Sequence, residues 1–193
     1  MARSILLVGI CIAIVACHSD SQSIVEQSDS VEAPTNVVPV SSPSTSLDPS
    51  FAQLQTLLAA QNWQAADQQT RLLMLKLSGR ELEGWMDEQS LDRIGCDHLT
   101  AIDRAWAEAS GDKFGFSVQR RIWQEAGENL EAMSDHVGWR QTGDWVPSES
   151  LRFDLRAPAG HLPSGDGVGL WRDGMRVGRG FPLLEVALRQ CGI

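Results

Sequence analysis

Three short signatures hold the residue types in this chain that could grip a ligand: Phe114-Gly115-Phe116-Ser117-Val118-Gln119, Val137-Gly138-Trp139-Arg140 and Gly160-His161-Leu162-Pro163. Each sets glycine beside aromatic or cationic side chains, a mixture that a core helix has no reason to contain, so a site built from loops is expected. The chemistry on offer is binding. An aromatic ring presents a flat apolar face, and a guanidinium grips a carboxylate with two parallel hydrogen bonds. In an extended loop, neighbours point to opposite sides. One of Trp139 and Arg140 can therefore meet a ligand's face while the other meets its edge or holds the loop.

Catalytic constellations are missing from the sequence. It has no Gly-x-Ser-x-Gly elbow, no phosphate-cradling glycine loop and no His-Glu-x-x-His pair. Carboxylates are abundant, but no spacing selects a general acid and base, and a non-catalytic protein is expected. His98, His136 and His161 are scattered, with no Cys-x-x-Cys-His attachment and no zinc-type cluster. Haem is allowed by these residues but not demanded, and His161 reads most simply as a turn residue bonded to backbone. The formal charge of −9 argues against a nucleic-acid partner, because affinity for phosphate backbones comes from clustered lysine and arginine.

The elements that must position the signatures are helices. Asp48 and Pro49 predict a helix start, followed by Phe51, Leu54, Leu57 and Leu58 on one face. Asn62 caps a second helix striped with Trp63, Ala66, Thr70, Leu73 and Leu77, which Gly79 ends. A short helix is expected from Glu88 to Arg93. Asp97 is expected to cap one carrying Leu99, Ile102, Trp106 and Ala109, Ser117 to cap another long piece with Val118, Ile122 and Ala126 inward, and a last helix to run near Pro182 to Gln190. Trp63, Trp106 and Trp123 fall on these helices as core residues. Leu151 to Leu155 is a weak strand candidate. The stretch from Gly127 to Phe181 is long and rich in glycine and proline, with only short helical possibilities. A loop this long inside a compact domain is either functional or partly disordered, and the binding site is expected here. The glycine-rich piece Gly165 to Gly180 makes Trp171 a candidate lid residue. The fold class is all-α, one compact helical domain from Asp48 to Ile193.

The first seventeen residues read differently. Arg3 precedes an apolar run from Ile5 to Ala16 that is too short to span a membrane comfortably, and Ile14-Val15-Ala16-Cys17 resembles a bacterial lipoprotein processing site, the alternatives being an ordinary secretory signal with an incidental cysteine or a short membrane anchor. Residues 1–17 are thus expected to be a signal with Cys17 as lipid acceptor, giving an exported, membrane-anchored protein on the periplasmic or luminal side. Residues 18–47 are rich in serine, proline and acids and lack lysine, arginine and aromatics, the composition of a disordered linker. With Cys11 removed and Cys17 lipidated, Cys96 and Cys191 remain. An oxidising compartment could join them, closing a loop of roughly 95 residues, and simple packing as thiols is the alternative.

The three signatures, the Trp63-x-x-Ala66-Asp67-x-x-Thr70 helix and the Ile102-Asp103-Arg104-Ala105-Trp106 helix together resemble the Genomes Uncoupled Four family of tetrapyrrole-binding proteins, over about Phe51 to Cys191. The resemblance implies a cupped, loop-rich palm that holds protoporphyrin IX or its magnesium derivative as ligand, with no further cofactor required. It points first to Val137, Trp139 and Arg140, then to Trp145, Arg152, Arg156 and Leu162 in the same loop-rich half. Phe114 and Phe116 either wall the palm or set the angle at which the next helix enters the core. A membrane-tethered porphyrin carrier, scavenger or sensor is the leading expectation. The alternatives are an activator of magnesium chelatase, which requires the domain to face the cytoplasm, and an interaction module that has lost its pigment.

Overall fold

The computed structural model describes residues 48–164 and 180–193. The expected signal, the linker and Cys17, as well as Trp171 and its glycine-rich neighbours, lie outside the described residues.

Local chemistry accounts for the first elements. The Asp48 carboxylate accepts the Ser50 N–H at 2.8 Å and the Lys76 ammonium at 3.0 Å, and helix α1 runs Ser50–Ala59, one residue later than an Asp48 cap implies. The Ser50 N–H first, and Lys76 with it, hold the Asp48 carboxyl down to about 2. Asn62 accepts the Ala65 N–H at 3.3 Å to start α2, Trp63–Ser78, and the chain leaves that helix through Gly79 in the left-handed conformation. A capping box between Asp87 and Ser90 starts the single turn α3, Glu88–Leu91.

Two further expected caps are displaced. Helix α4, Cys96–Ser110, takes Gly95 as its N-cap, which leaves Asp97 inside the first turn, where an acid still favours the positive end of the helix. Helix α5, Phe116–Glu125, starts from Gly115, so Ser117 is a helical residue rather than a cap. The Asp103 side chain on α4 instead accepts the Ser117 N–H at 2.8 Å and its hydroxyl at 3.0 Å. Helix α6, Leu130–Val137, capped by Asn129, is a short helix within the loop-rich stretch, where only short helical pieces are expected. The only strands among the described residues are two-residue ones, β1 Arg140–Gln141 and β2 Asp144–Trp145, and Leu151 to Leu155 is irregular. Thr142 and Gly143 both take positive φ between them, the conformation that two-residue hairpin turns favour. Helix α7, Phe181–Gln190, carries Pro182 in its first turn. All-α is therefore the correct description of the fold.

One apolar core joins these helices. Trp63, Trp106 and Phe114 form its aromatic centre, with ring centroids 5.6 to 6.4 Å apart and two edge-on contacts. The Trp106 indole is not left unsatisfied, since it donates to Thr70 Oγ1 at 3.0 Å and that hydroxyl donates to the Ala66 carbonyl. Helix α7 closes the structure against α3, α4 and α5. A disulfide between Cys96 and Cys191, with Sγ–Sγ 2.08 Å and Cα–Cα 5.1 Å, ties its end to the start of α4, and Arg120 pairs with Glu185 at 3.3 Å across α5 and α7. No helix among the described residues is long and apolar enough to cross a membrane.

Candidate functional site

The three signatures meet through backbone. Leu162 accepts the Gly115 N–H and Lys113 accepts the Gly160 N–H, both at 2.9 Å, so the segment before α5 and the Gly-His-Leu-Pro segment lie side by side. The Gln119 amide on α5 donates to the Gly160 and Pro163 carbonyls at 3.0 and 2.7 Å, bracketing the cis Leu162–Pro163 peptide. Next to it, Ser164 donates its N–H and hydroxyl to the buried Asp67 carboxylate at 2.6 and 2.8 Å. Glycine is required at position 160, where φ is +72° and a Cβ would stand 2.9 Å from Ile122 and 3.1 Å from Val137.

His161 is the knot between the second and third signatures. Its Nδ1 lies 2.6 Å from the Val137 carbonyl oxygen, which can only accept, so Nδ1 carries the proton. Its Nε2 in turn accepts the Arg152 N–H at 3.3 Å. Both ring nitrogens are thereby engaged, the imidazole is neutral, and burial pushes its pKa below the usual histidine value. The same residue's carbonyl accepts the Trp139 indole N–H at 2.9 Å.

A cleft of about 390 Å³ opens beside this knot, within the range of small-molecule sites. Val146, Leu151, Phe153 and Pro158 supply its apolar wall, Gly138 and His161 its contact with the signatures, and Arg152 and Asp154 its polar edge. Arg152 is about half exposed (53%) and lies 3.6 Å from Asp154, while Arg156, 81% exposed, reaches the same carboxylate at 2.8 Å. The hydrogen bond from Arg156 holds the Asp154 carboxyl down to about 2, so it is an anion at any ordinary pH. Two guanidiniums against one carboxylate leave an excess of positive charge on this edge. Two other grooves, of about 370 and 330 Å³, lie along α1 and are lined by neither an arginine nor any of the three signatures.

The remaining sequence-predicted residues fall elsewhere in this region. Val137, Leu162, Phe114 and Phe116 are fully buried, as is Trp139 at 1% exposure. Arg140 points the other way from Trp139: its guanidinium lies 3.3 Å from Glu131 and 3.7 Å from Asp135, donates to the Gly143 carbonyl at 3.0 Å and sits over the Trp145 ring at 5.8 Å. It holds the hairpin to α6. The structure thus brings together Arg152, His161 and Gly138 on the cleft, with Arg156 joined to it through Asp154. Phe153, Val146 and Pro158 escape sequence reasoning, although Phe153 next to Arg152 repeats the aromatic and arginine neighbours that draw attention to Trp139 and Arg140. No group of three or more metal-ligating side chains gathers among the described residues.

Residues 44–174 match the GUN4-like family. The chain is 31% identical over 133 residues to the Ycf53-like protein of Synechocystis, covering 67% of this chain and 56% of that protein. It is 30% identical over 128 residues to a chloroplastic tetrapyrrole-binding protein of Arabidopsis thaliana, covering 58% and 47%. In three dimensions it is similar to the ligand-free structure of Arabidopsis thaliana GUN4, with a TM-score of 0.58 and 29% identity over 71% of this chain and 93% of that one. The chain spans about half the length of the curated relatives it matches.

Proposed function

The chain belongs to the GUN4-like family, and from that premise we propose that it binds a tetrapyrrole, protoporphyrin IX or its magnesium form, in the cleft beside His161. The observation that carries this reading is the pairing on one rim of an aromatic wall and a cationic edge, Phe153 with Arg152, joined to Arg156 through Asp154. A porphyrin is a broad apolar ring with carboxylates on one edge, and it needs both kinds of contact. The Asp154 carboxylate keeps the guanidiniums oriented, and a ligand carboxylate can take its place on Arg152. No step of chemistry is required of the protein, which acts as carrier, scavenger or sensor.

We further propose that the domain works outside the cytoplasm, tethered through lipidated Cys17. Two observations support this: the signal-like sequence ending at Cys17, and the Cys96–Cys191 disulfide, a bond that persists in oxidising compartments. Export would separate the domain from magnesium chelatase, whose ATP is cytoplasmic. Fractionation with protease protection decides between the two locations. Membrane-bound protein digested by external protease supports the tether, whereas protected protein on the cytoplasmic face restores the chelatase-activating role that the resemblance implies.

Binding itself is tested by titrating the oxidised chain with each porphyrin and following tryptophan quenching and the porphyrin absorption band. Saturable, near one-to-one binding is expected. Its absence in well-folded protein leaves an interaction module.

A further inference from the structure

His161 joins the two sides of the cleft through one imidazole, and it can do so only while uncharged. Its Nδ1–H holds the last carbonyl of α6, at Val137, and its Nε2 lone pair holds the Arg152 N–H, so a single side chain fixes the Arg152 segment to the helix that precedes Gly138. Resting on the tetrapyrrole-binding reading above, we propose that His161 is a positioning residue for the cleft, and that protonation of its ring releases the Arg152 segment and weakens ligand binding in acid.

The geometry makes the response directional. A proton added at Nε2 turns an acceptor into a donor and sets N–H against N–H across the 3.3 Å contact with Arg152, while the Nδ1 bond to Val137 persists. The ring can therefore stay on α6 and let go of the other side. The His161 backbone is held independently by the Trp139 indole, and its neighbours Gly160 and Pro163 by the uncharged Gln119 amide of α5, so the segment that carries the ring has no reason to move. Two charged groups act on the imidazole, both from the 151–157 stretch. Arg152 opposes the cation and Asp154 favours it. Burial opposes the cation most strongly, which places the transition below the usual histidine range. What moves is the Arg152 backbone, and with it the guanidinium and the Phe153 ring on the cleft wall.

The test compares the full oxidised chain with His161→Gln, a side chain that can accept from Arg152 but takes up no proton. Protoporphyrin IX is titrated between pH 7.5 and pH 5, and each protein is read as the ratio of its affinities at the two ends. That comparison cancels the porphyrin's own ionisation. The wild-type ratio is expected to exceed that of the glutamine variant by about tenfold, the size of one partly buried hydrogen bond replaced by opposed donors. In parallel, 15N spectra of wild-type protein without porphyrin follow the His161 ring and the Arg152 amide, which are expected to shift together along one titration curve. Equal pH ratios for the two proteins would overturn the proposal. So would a His161 ring that titrates while the Arg152 amide stays fixed, or one that stays neutral to pH 5. If no porphyrin binds at any pH, the functional reading falls, and the ligand-free spectra still decide whether His161 releases Arg152.

Discussion

The Asp103 carboxylate on α4 receives both the N–H and the hydroxyl of Ser117, at 2.8 and 3.0 Å, so the start of α5 is capped from a neighbouring helix. This couples the Ile102-Asp103-Arg104-Ala105-Trp106 helix to the Phe114-Gly115-Phe116 segment. A residue of α4 thereby sets where α5 begins, and with it where Gln119 meets the Gly160 and Pro163 carbonyls.

Removing that cap should loosen the cleft from a distance. Asp103→Ala is expected to cost about 1–2 kcal/mol of stability in urea unfolding, the loss typical of a cap, and Asp103→Asn less, because it keeps an acceptor. Burial raises the Asp103 pKa in spite of the Ser117 bonds. The folded chain therefore holds this proton more tightly than the unfolded chain, and the contribution of Asp103 to stability falls as pH rises through the interval above the ordinary carboxylate value. The asparagine variant should lose that slope, which stability measurements from pH 3.5 to 7 would show.

Gly115 is where this contact leaves no room. Its φ is +119°, and a Cβ there would stand 2.8 Å from the Asp103 carboxylate oxygen and 3.3 Å from the Asp103 carbonyl. Gly115→Ala should cost about 1–3 kcal/mol from backbone strain alone, with the clash added. Thermal unfolding of this variant beside Gly95→Ala separates the two contributions, since Gly95 (φ +76°, ψ 151°) shares the extended positive-φ backbone of Gly115 but has open space around its Cβ.

The disulfide predicts a redox-dependent stability. Cys96 and Cys191 are 95 residues apart in sequence, so cutting the bond frees a long loop in the unfolded chain. Reduction should lower stability by about 2–4 kcal/mol. The paired Cys96→Ser, Cys191→Ser variant should melt with the reduced protein and ignore reductant, and a variant that melts with the oxidised protein would show that the helices hold without the bond.

What the sequence made legible follows the range of each interaction. Asn62 and Gly79 bound α2 through contacts a few residues away, and both ends are read correctly. Ser117 misleads because its partner lies 14 residues back on another helix, and Gly95 displaces Asp97 because a glycine can cap by conformation alone. Helix α6 is short and surrounded by glycine, and two-residue strands have no alternation to detect. The site is legible in the same uneven way. The Trp139 and Arg140 signature marks the region, but Trp139 turns inward to His161 and Arg140 turns out to Glu131, so the cleft wall falls to Phe153, Leu151 and Val146, which carry no motif.

Histidine burial gives a stability prediction separate from binding. The pKa of His161 is lowered in the fold, so the unfolded chain takes up a proton first as pH falls. The stability His161 confers is fully present above the ordinary histidine pKa of about 6.5 and drains away as pH drops towards the folded value. Urea midpoints for wild type should decline over that interval, and His161→Gln should remove this component of the decline.

Separate side chains should control folding and binding at the cleft. Trp139 is 1% exposed and donates its indole N–H to the His161 carbonyl, so Trp139→Ala should lose about 3–5 kcal/mol of stability, as truncation of a buried aromatic does. Its effect on porphyrin binding should then follow the unfolded fraction and recover at lower temperature or denaturant. Arg152 is half exposed, contributes little to the core, and reaches the cleft edge with Asp154 opposite its guanidinium at 3.6 Å. Arg152→Ala should leave the urea midpoint within about 0.5 kcal/mol of wild type, as surface changes do, while weakening porphyrin binding by roughly tenfold for the loss of a charged hydrogen bond. Arg156→Ala should have a smaller effect, because Arg156 acts through Asp154. Asp154→Asn removes the competitor for both guanidiniums and should tighten binding. A set of titrations in which Arg152→Ala binds as wild type does, and only variants with lowered stability bind weakly, would move the ligand off this edge.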